Sequence, residues 1–305
     1  MTMGPPLALG IDLGGTQLRV AAIDAMGHVA RRVAVPTDVA GGPVAIVGQM
    51  LRLAEEAIGD DRQRVVAAGV SAPGPLDSET GTIIDMPTLP GWKDYPLRRV
   101  IGENLSMPVI LENDGIAAAF GEWKYGAGRG LSHFVYVTVS TGIGGGVVAD
   151  GRLLRGWRGM AGHVGHMMIA QDGPRCSCGG TGCFEALASG TAFNAAARAA
   201  GYGDAKAAVQ AARNGDPLAG AVVAREADLL GYGFASLLCL YSPQRLIVGG
   251  GVSQALDVMA PRIHDRIRRL AMPPFCEIDI VAAELGDNAG LAGAAGLAIS
   301  QNCRA

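Results

Sequence analysis

Two stretches of the chain repeat one pattern, in which an apolar run, a glycine-containing turn and a second apolar run follow each other. The first is LALGIDLGGTQLRVAAID, with its turn at Asp12–Thr16, and the second is FVYVTVSTGIGGGVVADGRLL, with its turn at Thr141–Gly146. Short runs of β-branched residues bounded by glycine are typical of β-strands. The sequence therefore predicts two strand–turn–strand units, the second with strands at 134–139 and 147–154.

The remaining hydrophobic pattern predicts a mixture of helices and strands. Helices are predicted at 44–57, 191–212, 218–240, 256–270, 290–300 and from Ile116, strands at 65–71, 108–111 and 245–248, and an irregular segment at 73–92. Mixed elements of this kind indicate an α/β protein with two packed lobes. We expect an N-terminal lobe at 1–118, on which a C-terminal helix at about 290–305 packs back, a C-terminal lobe at 119–305, and ligands in a cleft between the lobes.

Composition restricts the partners that this chain can have. Its 305 residues are 49% hydrophobic, and 25 basic residues against 28 acidic ones leave a formal charge of −3. The sequence has no basic stripe, which argues against nucleic acid or an anionic membrane as the main partner and favours a small neutral or anionic metabolite. No run approaches the roughly 20 apolar residues of a membrane span, and the first six residues lack a secretory pattern. A cytoplasmic protein is expected.

The glycine turns are candidate anion sites. Gly14 and Gly15 allow backbone N–H groups to approach a phosphate, and Thr16 adds a hydroxyl donor. The alternative is that the first turn is an ordinary tight hairpin without a ligand. A second glycine turn at the matching place of the second unit argues against this alternative. Neither turn is a P-loop or a dinucleotide fingerprint, because no GK[ST] follows and the second turn leads into a strand. A third glycine turn, Gly249–Gly251, lies between a strand and a helix, where it either binds an anion or simply separates the two elements.

Three of the six cysteines cluster within one Gly-rich segment. Cys176, Cys178 and Cys183 have the spacing of thiolate ligands, and His166, ten residues before Cys176, supplies a fourth. This pattern predicts a closed, structural Cys3His zinc site in a loop at 166–183. Free thiols in a loop are the alternative. The other cysteines, Cys239, Cys276 and Cys303, are too scattered for a disulfide framework.

Eight short motifs occur along the chain in an order that is specific to one protein family. From Leu7 to Ile299, the motifs DLGGT, SAPGPLD, LPGW, ENDG, STGIGGG, AGHVGHM, CSCGGTGCFEALASG and IVGGGVS resemble the ROK family of bacterial sugar kinases and repressors. The resemblance implies a two-lobed actin-like ATPase (ribonuclease H-like) fold with mixed sheets and an interlobe cleft. It implies transfer of the γ-phosphate of ATP to the 6-hydroxyl of a hexose or N-acylhexosamine, with Mg²⁺ and a structural Zn²⁺, in a homo-dimer or tetramer.

The resemblance also assigns roles to residues. Asp114 matches the catalytic base, although Asn-Asp-Gly before an Ala-rich helix is by itself more typical of an N-cap. Asp12 matches an acid that helps hold Mg²⁺, although its alternative role is to bond the backbone of its own turn. Glu185 alone would be read as an acid in the first turn of a helix. The implied sugar ligands are Gly74, Thr88, Asn113, Asp114, His163, His166 and Glu185; the implied nucleotide and magnesium ligands are Asp12, Gly14, Gly15, Thr16, Thr141, Gly142, Gly249 and Gly250; and the implied zinc ligands are His166, Cys176, Cys178 and Cys183.

Two positions depart from the usual pattern of glucokinases in this family. His163 stands where many of these glucokinases have Glu, so an imidazole that can donate a hydrogen bond replaces a carboxylate that can only accept one. In this position the chain resembles bacterial N-acetylmannosamine kinases. Thr88 stands where an Asn is usual. Two other classes of function remain open, a sugar-responsive repressor and a non-catalytic sugar sensor. The repressor is disfavoured, because the first predicted strand near Leu7 leaves no room for an N-terminal helix-turn-helix.

Overall fold

The computed structural model describes residues 4–87 and 89–302, which form two compact units. Unit 1 comprises Met1–Arg129, Leu153–Gly162 and Asp287–Ala305, and unit 2 comprises Gly130–Arg152 and His163–Gly286. The α/β class with mixed sheets that the sequence predicts is confirmed. Among the described residues, no helix combines the length and the apolar content needed to cross a bilayer.

Unit 1 is built on a five-stranded sheet with the order β3-β2-β1-β4-β7. Strands β1, β2 and β3 are antiparallel neighbours, whereas β1, β4 and β7 run parallel. Helices α1 and α9 both pack on the central strand β1, and all of its apolar residues are buried. The elements of this unit are β1 (Leu7–Leu13), β2 (Gln17–Asp24), β3 (Val29–Pro36), α1 (Gly42–Ile58), β4 (Val65–Ala72), β5 (Leu76–Asp77), β6 (Thr82–Ile83), α2 (Leu97–Leu105), β7 (Val109–Asn113) and α3 (Asp114–Tyr125).

Unit 2 carries a second five-stranded sheet, with the order β10-β9-β8-β11-β12. Strands β8 and β9 form an antiparallel pair, and β11 runs parallel to β8 and β12. A long Ala-rich helix, α7, packs against α6 and α8. The elements from here to the C-terminus are β8 (Phe134–Val139), β9 (Ile143–Ala149), β10 (Arg152–Leu153), α4 (Phe184–Ala188), α5 (Gly190–Ala199), α6 (Ala205–Arg213), α7 (Pro217–Tyr241), β11 (Arg245–Gly249), α8 (Leu256–Leu270), β12 (Asp279–Ala282) and α9 (Ala289–Asn302).

Both predicted strand–turn–strand units are present, as β1 with β2 and β8 with β9. The second strand of the later unit starts earlier than predicted, because Gly144, Gly145 and Gly146 pair with residues 136–138 of β8 instead of forming the turn. The single helix predicted at 191–212 is wrong. It is divided into α5 and α6, because Asp204 accepts from the Ala207 amide and caps a new helix.

Several elements have no clear signal in the hydrophobic pattern. Strand β3 is largely exposed at the edge of its sheet, and the short β5–β6 hairpin lies inside the segment predicted to be irregular. The predicted lobe boundary at residue 118 falls inside α3, which belongs to unit 1 along its whole length. The C-terminal helix α9 packs on β1, β4 and α3 of the same unit.

Candidate active site and metal centre

Three parallel strands of unit 1 end at one edge of their sheet and bring polar residues there. Asp12 on β1 lies opposite Ser71 on β4, and Ala72 on β4 lies opposite Asn113 at the end of β7. Functional side chains of α/β proteins gather at the carboxyl ends of parallel strands. This edge is therefore the candidate catalytic region of unit 1.

Asn113 and Asp114 occupy different positions at the start of α3. Asn113 is the N-cap of α3, since its side chain accepts from the amides of Gly115 at 3.0 Å and Ile116 at 3.4 Å. Asp114 is the first helical residue, and its Oδ1 accepts from the Gly115 amide at 2.8 Å. The capping function thus belongs to Asn113, which leaves the Asp114 carboxylate available for chemistry.

The electrostatic surroundings of Asp114 suit a base that works near neutral pH. Burial and the nearby charge of Asp12 raise the pKa of Asp114 to about 6, against the lowering effect of the Gly115 amide. A general base is most effective when its pKa lies close to the working pH. At pH 7, this carboxylate is still ionised in most molecules.

Two side chains hold Asp12, and within residues 4–87 and 89–302 no hydrogen bond joins its carboxylate to the backbone of its own turn. Ser71 Oγ donates to Asp12 Oδ1 at 2.9 Å, and Arg19 donates to Oδ2 at 3.1 Å. Burial raises the pKa of Asp12, against the lowering effects of Ser71 and Arg19. A Cβ built on Gly290 would lie 2.7 Å from Asp12 Oδ1, so only a glycine fits against this carboxylate without a shift.

A hard cation such as Mg²⁺ prefers carboxylate oxygen and commonly binds proteins through only one or two acids, with water and substrate phosphates as further ligands. The Asp12 carboxylate, which lies opposite Ser71 where β1 and β4 end, is an acid of this kind. Asp12 could hold the ion near the phosphates of a nucleotide.

The first glycine turn is closed by its own hydrogen bonds. The Gly14 amide donates to the Gln17 carbonyl at 2.9 Å, and Thr37 Oγ1 donates to the Gly14 carbonyl at 2.7 Å. A Cβ on Gly15 would meet no atom within 4 Å, so this side of the turn is open. The turn therefore leaves the backbone around Gly15 and Thr16 accessible to an anion. Gly74, two residues past the end of β4, belongs to the same unit.

The second and third glycine turns both lie in unit 2. In the second, the Ser140 amide donates to the Gly142 carbonyl at 2.9 Å, and the Ile143 amide donates to Glu185 Oε2 at 2.9 Å. In the third, Gly250 has a φ of +77°, a conformation that favours glycine, and Ser253 Oγ donates to its carbonyl at 2.7 Å. In both turns, hydrogen bonds to neighbouring polar groups fix the backbone.

The four predicted metal ligands converge in unit 2. The ligand atoms of His166, Cys176, Cys178 and Cys183 all lie within 4.8 Å of one another. Cys176 Sγ is 3.6 Å from His166 Nδ1, and Cys178 Sγ is 3.7 Å from Cys183 Sγ. Three thiolates and one imidazole at these separations match a tetrahedral structural zinc site.

The chemistry of these thiols also favours a cation. Burial and the neighbouring thiols raise the pKa of Cys183 to about 12, whereas a hydrogen bond from the Gly180 amide and those of the neighbouring thiols lower the pKa of Cys178. The Cys183 thiol is therefore the one that opposes ionisation when no cation is bound. A bound Zn²⁺ reverses this penalty, because it deprotonates the thiols that coordinate it. The residues present therefore fit Zn²⁺.

His163 and Glu185 lie at opposite ends of the zinc loop, residues 166–183. The rings of His163 and His166 stack with their centroids 6.1 Å apart, and burial and His166 lower the pKa of His163. Neutral His163 can either donate or accept a hydrogen bond. Glu185 accepts from Ser177 Oγ at 3.2 Å as well as from the Ile143 amide.

The structure groups the predicted residues by unit. Unit 1 contains Asp12, Gly14, Gly15, Thr16, Gly74, Asn113 and Asp114, and unit 2 contains Thr141, Gly142, His163, His166, the three clustered cysteines, Glu185, Gly249 and Gly250. Thr88 lies outside the described residues.

Sequence reasoning missed several partners of these residues. Ser71 and Arg19 hold Asp12, Ser177 holds Glu185, and Arg155 pairs with the buried Glu112 beside Asn113. The position of Ser71 could have been inferred from the parallel pairing of β1 with β4. Nothing in the local pattern indicates the pairing of Arg155 with Glu112.

The chain matches known proteins over nearly its full length. The ROK family profile matches residues 8–301. Glucokinase of Thermotoga maritima is 34% identical over 307 residues, which cover 95% of this chain and 96% of that protein. N-acetylmannosamine kinase of Escherichia fergusonii is 35% identical over 292 residues, which cover 95% of this chain and 97% of that protein.

Solved structures agree with these sequence matches. The ROK family glucokinase of Streptomyces griseus, solved with glucose and AMPPNP, superposes with a TM-score of 0.83 at 33% identity and covers 96% of this chain and 99% of its own. The predicted resemblance to the family and the actin-like ATPase fold are thereby confirmed.

Proposed function

The chain belongs to the ROK family, and from this premise we propose that it is an ATP-dependent sugar kinase. It transfers the γ-phosphate of ATP to the 6-hydroxyl of a hexose or N-acylhexosamine, with N-acetylmannosamine and glucose as the leading substrates. The two kinds of relative, glucokinase and N-acetylmannosamine kinase, support these two sugars.

Asp114 is the general base in this proposal. Its carboxylate takes the proton of the attacking sugar hydroxyl as the oxygen bonds to the γ-phosphorus, while the bond to the β-phosphate oxygen breaks and ADP leaves. Such transfer needs little covalent chemistry from the protein, so positioning and electrostatics do most of the work. The single observation that carries the assignment is the placement of Asp114 directly after β7, as the first residue of α3, with a pKa of about 6.

The glycine turns and Asp12 bind the phosphates of the nucleotide in this proposal. The backbone around Gly15 and Thr16, together with the turns at Thr141–Gly142 and Gly249–Gly250, supplies N–H donors for phosphate oxygens. Asp12 would hold Mg²⁺, which when bound neutralises charge on those oxygens. Arg19 and Ser71 keep the Asp12 carboxylate in a fixed orientation.

The sugar is oriented by hydrogen-bonding side chains. Asn113, Asp114, His163, His166 and Glu185 form this set, with Gly74 and Thr88 completing it. His163 would donate to an oxygen of the sugar, a hydroxyl or an acetyl group, where a glutamate could only accept. This difference supports an N-acylhexosamine as the preferred substrate. A structural Zn²⁺ at the Cys3His site would keep the segment that carries His163 and Glu185 rigid.

A coupled assay of ADP release tests the proposal. The protein is supplied with Mg-ATP and, separately, with glucose, mannose, N-acetylglucosamine and N-acetylmannosamine. Turnover with at least one sugar, lost in Asp114→Asn while sugar binding by calorimetry persists, is the expected result. A protein that binds a sugar but never releases ADP would instead be a sensor. A cytoplasmic location and a homo-oligomeric state stay predictions.

A further inference from the structure

The second glycine turn and the zinc loop meet at one residue, Ile143. The Ile143 amide donates to Glu185 Oε2 at 2.9 Å. The Ile143 carbonyl oxygen faces Gly165, where an added Cβ would collide with it. Gly165 precedes the zinc ligand His166, and Glu185 follows the ligand Cys183 by two residues. The residues that flank the zinc loop on its two sides therefore contact backbone groups of the same residue, Ile143.

Residues just beyond Glu185 hold the rest of this turn. The Gly190 amide donates to the Ser140 carbonyl at 2.7 Å, and Thr191 Oγ1 donates to the Thr141 carbonyl at 2.7 Å. Glu185 also lies so close to Gly142 that a Cβ there would collide with its carboxylate. The turn thus has little freedom to move independently of the segment that follows the last zinc ligand.

The zinc loop reaches Glu185 a second time, through a residue that is not a zinc ligand. Ser177, between Cys176 and Cys178, donates its hydroxyl to Glu185 Oε1 at 3.2 Å. A carboxylate offers about four acceptor positions, so Glu185 can accept from Ser177, from Ile143 and still from a sugar hydroxyl. The base of the segment is anchored in the core, since Phe184 is fully buried and packs edge-on against Phe234 of α7.

We propose that the zinc loop positions the second glycine turn, with Gly165 and Glu185 as the contact points and Ser177 as a positioning residue, and so sets how this turn holds the nucleotide phosphates. The inference deepens the proposed function and rests on it for the identity of the ligand. The zinc loop would then affect the binding of the nucleotide as well as the binding of the sugar. The first half of the proposal, that the zinc loop keeps the turn ordered, can be tested even if the protein has no kinase activity.

Ser177→Ala tests the coupling without removing a zinc ligand. We expect the variant to keep one zinc per chain by elemental analysis, and its Ile143 amide to exchange with deuterium about three- to tenfold faster by NMR, because its acceptor Glu185 has lost one of its two supports. The KM for ATP at saturating sugar should rise by about the same factor. Ser177→Thr keeps the hydroxyl and should restore both values.

The matched control is Thr181→Ala, which removes a hydroxyl from the same loop at a position that is not hydrogen-bonded to Glu185 in the described part of the chain. It should leave Ile143 exchange and the KM for ATP unchanged. Unchanged Ile143 exchange in Ser177→Ala, or a change in the KM for sugar alone, would overturn the coupling. If instead the wild-type protein releases no ADP with any sugar, the proposed function fails, while the exchange measurement still decides whether the loop orders the turn.

Discussion

Arg155 Nε donates to Glu112 Oε2 at 2.7 Å, and Glu112 directly precedes the Asn113–Asp114 pair. Only 2% of the Glu112 side chain is exposed, and its Oε1 accepts from the Asn113 amide at 3.1 Å. Burial raises the pKa of Glu112, and Arg155 opposes this effect. The guanidinium therefore holds the buried Glu112 side chain in place, two residues before the proposed base.

Arg155→Met should destabilise the protein by about 2–4 kcal/mol, because removing one partner leaves the other charge buried and unpaired. Thermal unfolding measures the loss. The double variant Arg155→Met/Glu112→Gln should recover part of it, since the unpaired charge is gone. A double variant no more stable than Arg155→Met would show that the pair does not act through charge.

Asp114→Asn should lower kcat about a thousandfold, in the range expected for loss of a general base. It should at the same time raise the melting temperature at pH 7. Because the folded pKa of about 6 lies above the ordinary value of 3.8, the ionised carboxylate destabilises the folded state at neutral pH, and the amide removes this cost. We expect a gain of about 1–2 kcal/mol, less than the full shift implies, because Asp114 keeps partial solvent contact. Lower activity together with lower stability would indicate a structural role instead.

The pH dependence of kcat/KM should show an acid limb with a midpoint near pH 6, where Asp114 of the free enzyme becomes protonated and can no longer act as a base. An NMR titration of Asp114 in the free protein should give the same midpoint. In Asp12→Asn this midpoint should move to lower pH, because the charge of Asp12 is one cause of the raised pKa. A midpoint that does not respond to Asp12→Asn would exclude the electrostatic coupling of these acids.

Cys178→Ser should reduce the zinc content well below one ion per chain and lower the melting temperature, because structural zinc contributes to folding free energy. Cys239→Ser provides the control, since Cys239 is an exposed cysteine on α7 outside the cluster. Elemental analysis and thermal unfolding measure both effects. Equal zinc content in the two variants would contradict the predicted ligand set.

His163→Glu should shift substrate preference toward glucose, because a carboxylate accepts hydroxyl hydrogen bonds but cannot donate to an acetyl oxygen. We expect the ratio of kcat/KM for N-acetylmannosamine to that for glucose to fall about tenfold, the effect of one lost hydrogen bond of about 1.4 kcal/mol. His264→Glu, a histidine change on α8 away from the site, should leave the ratio unaltered. An unchanged ratio in His163→Glu would remove His163 as a determinant of specificity.

The sequence by itself determined much of the local structure of this protein and the grouping of the four candidate metal ligands. Hydrophobic runs and glycines predicted both strand–turn–strand units, because strand formation and turns depend on neighbouring residues. The four metal ligands lie within 18 residues of one another, so their spacing alone was enough to predict that they converge. The family motifs could be recognised in the sequence because each of them is a short run of consecutive residues.

Only the tertiary structure decided which distant groups support the site. Ser71 is 59 residues from Asp12, Arg155 is 43 from Glu112, and Glu185 is 42 from Ile143. Such contacts depend on strand register and on the paths of the connecting loops, which local propensities do not encode. The assignment of Asn113 as the N-cap of α3 was decided in the same way, because the exact first residue of a helix depends on capping geometry.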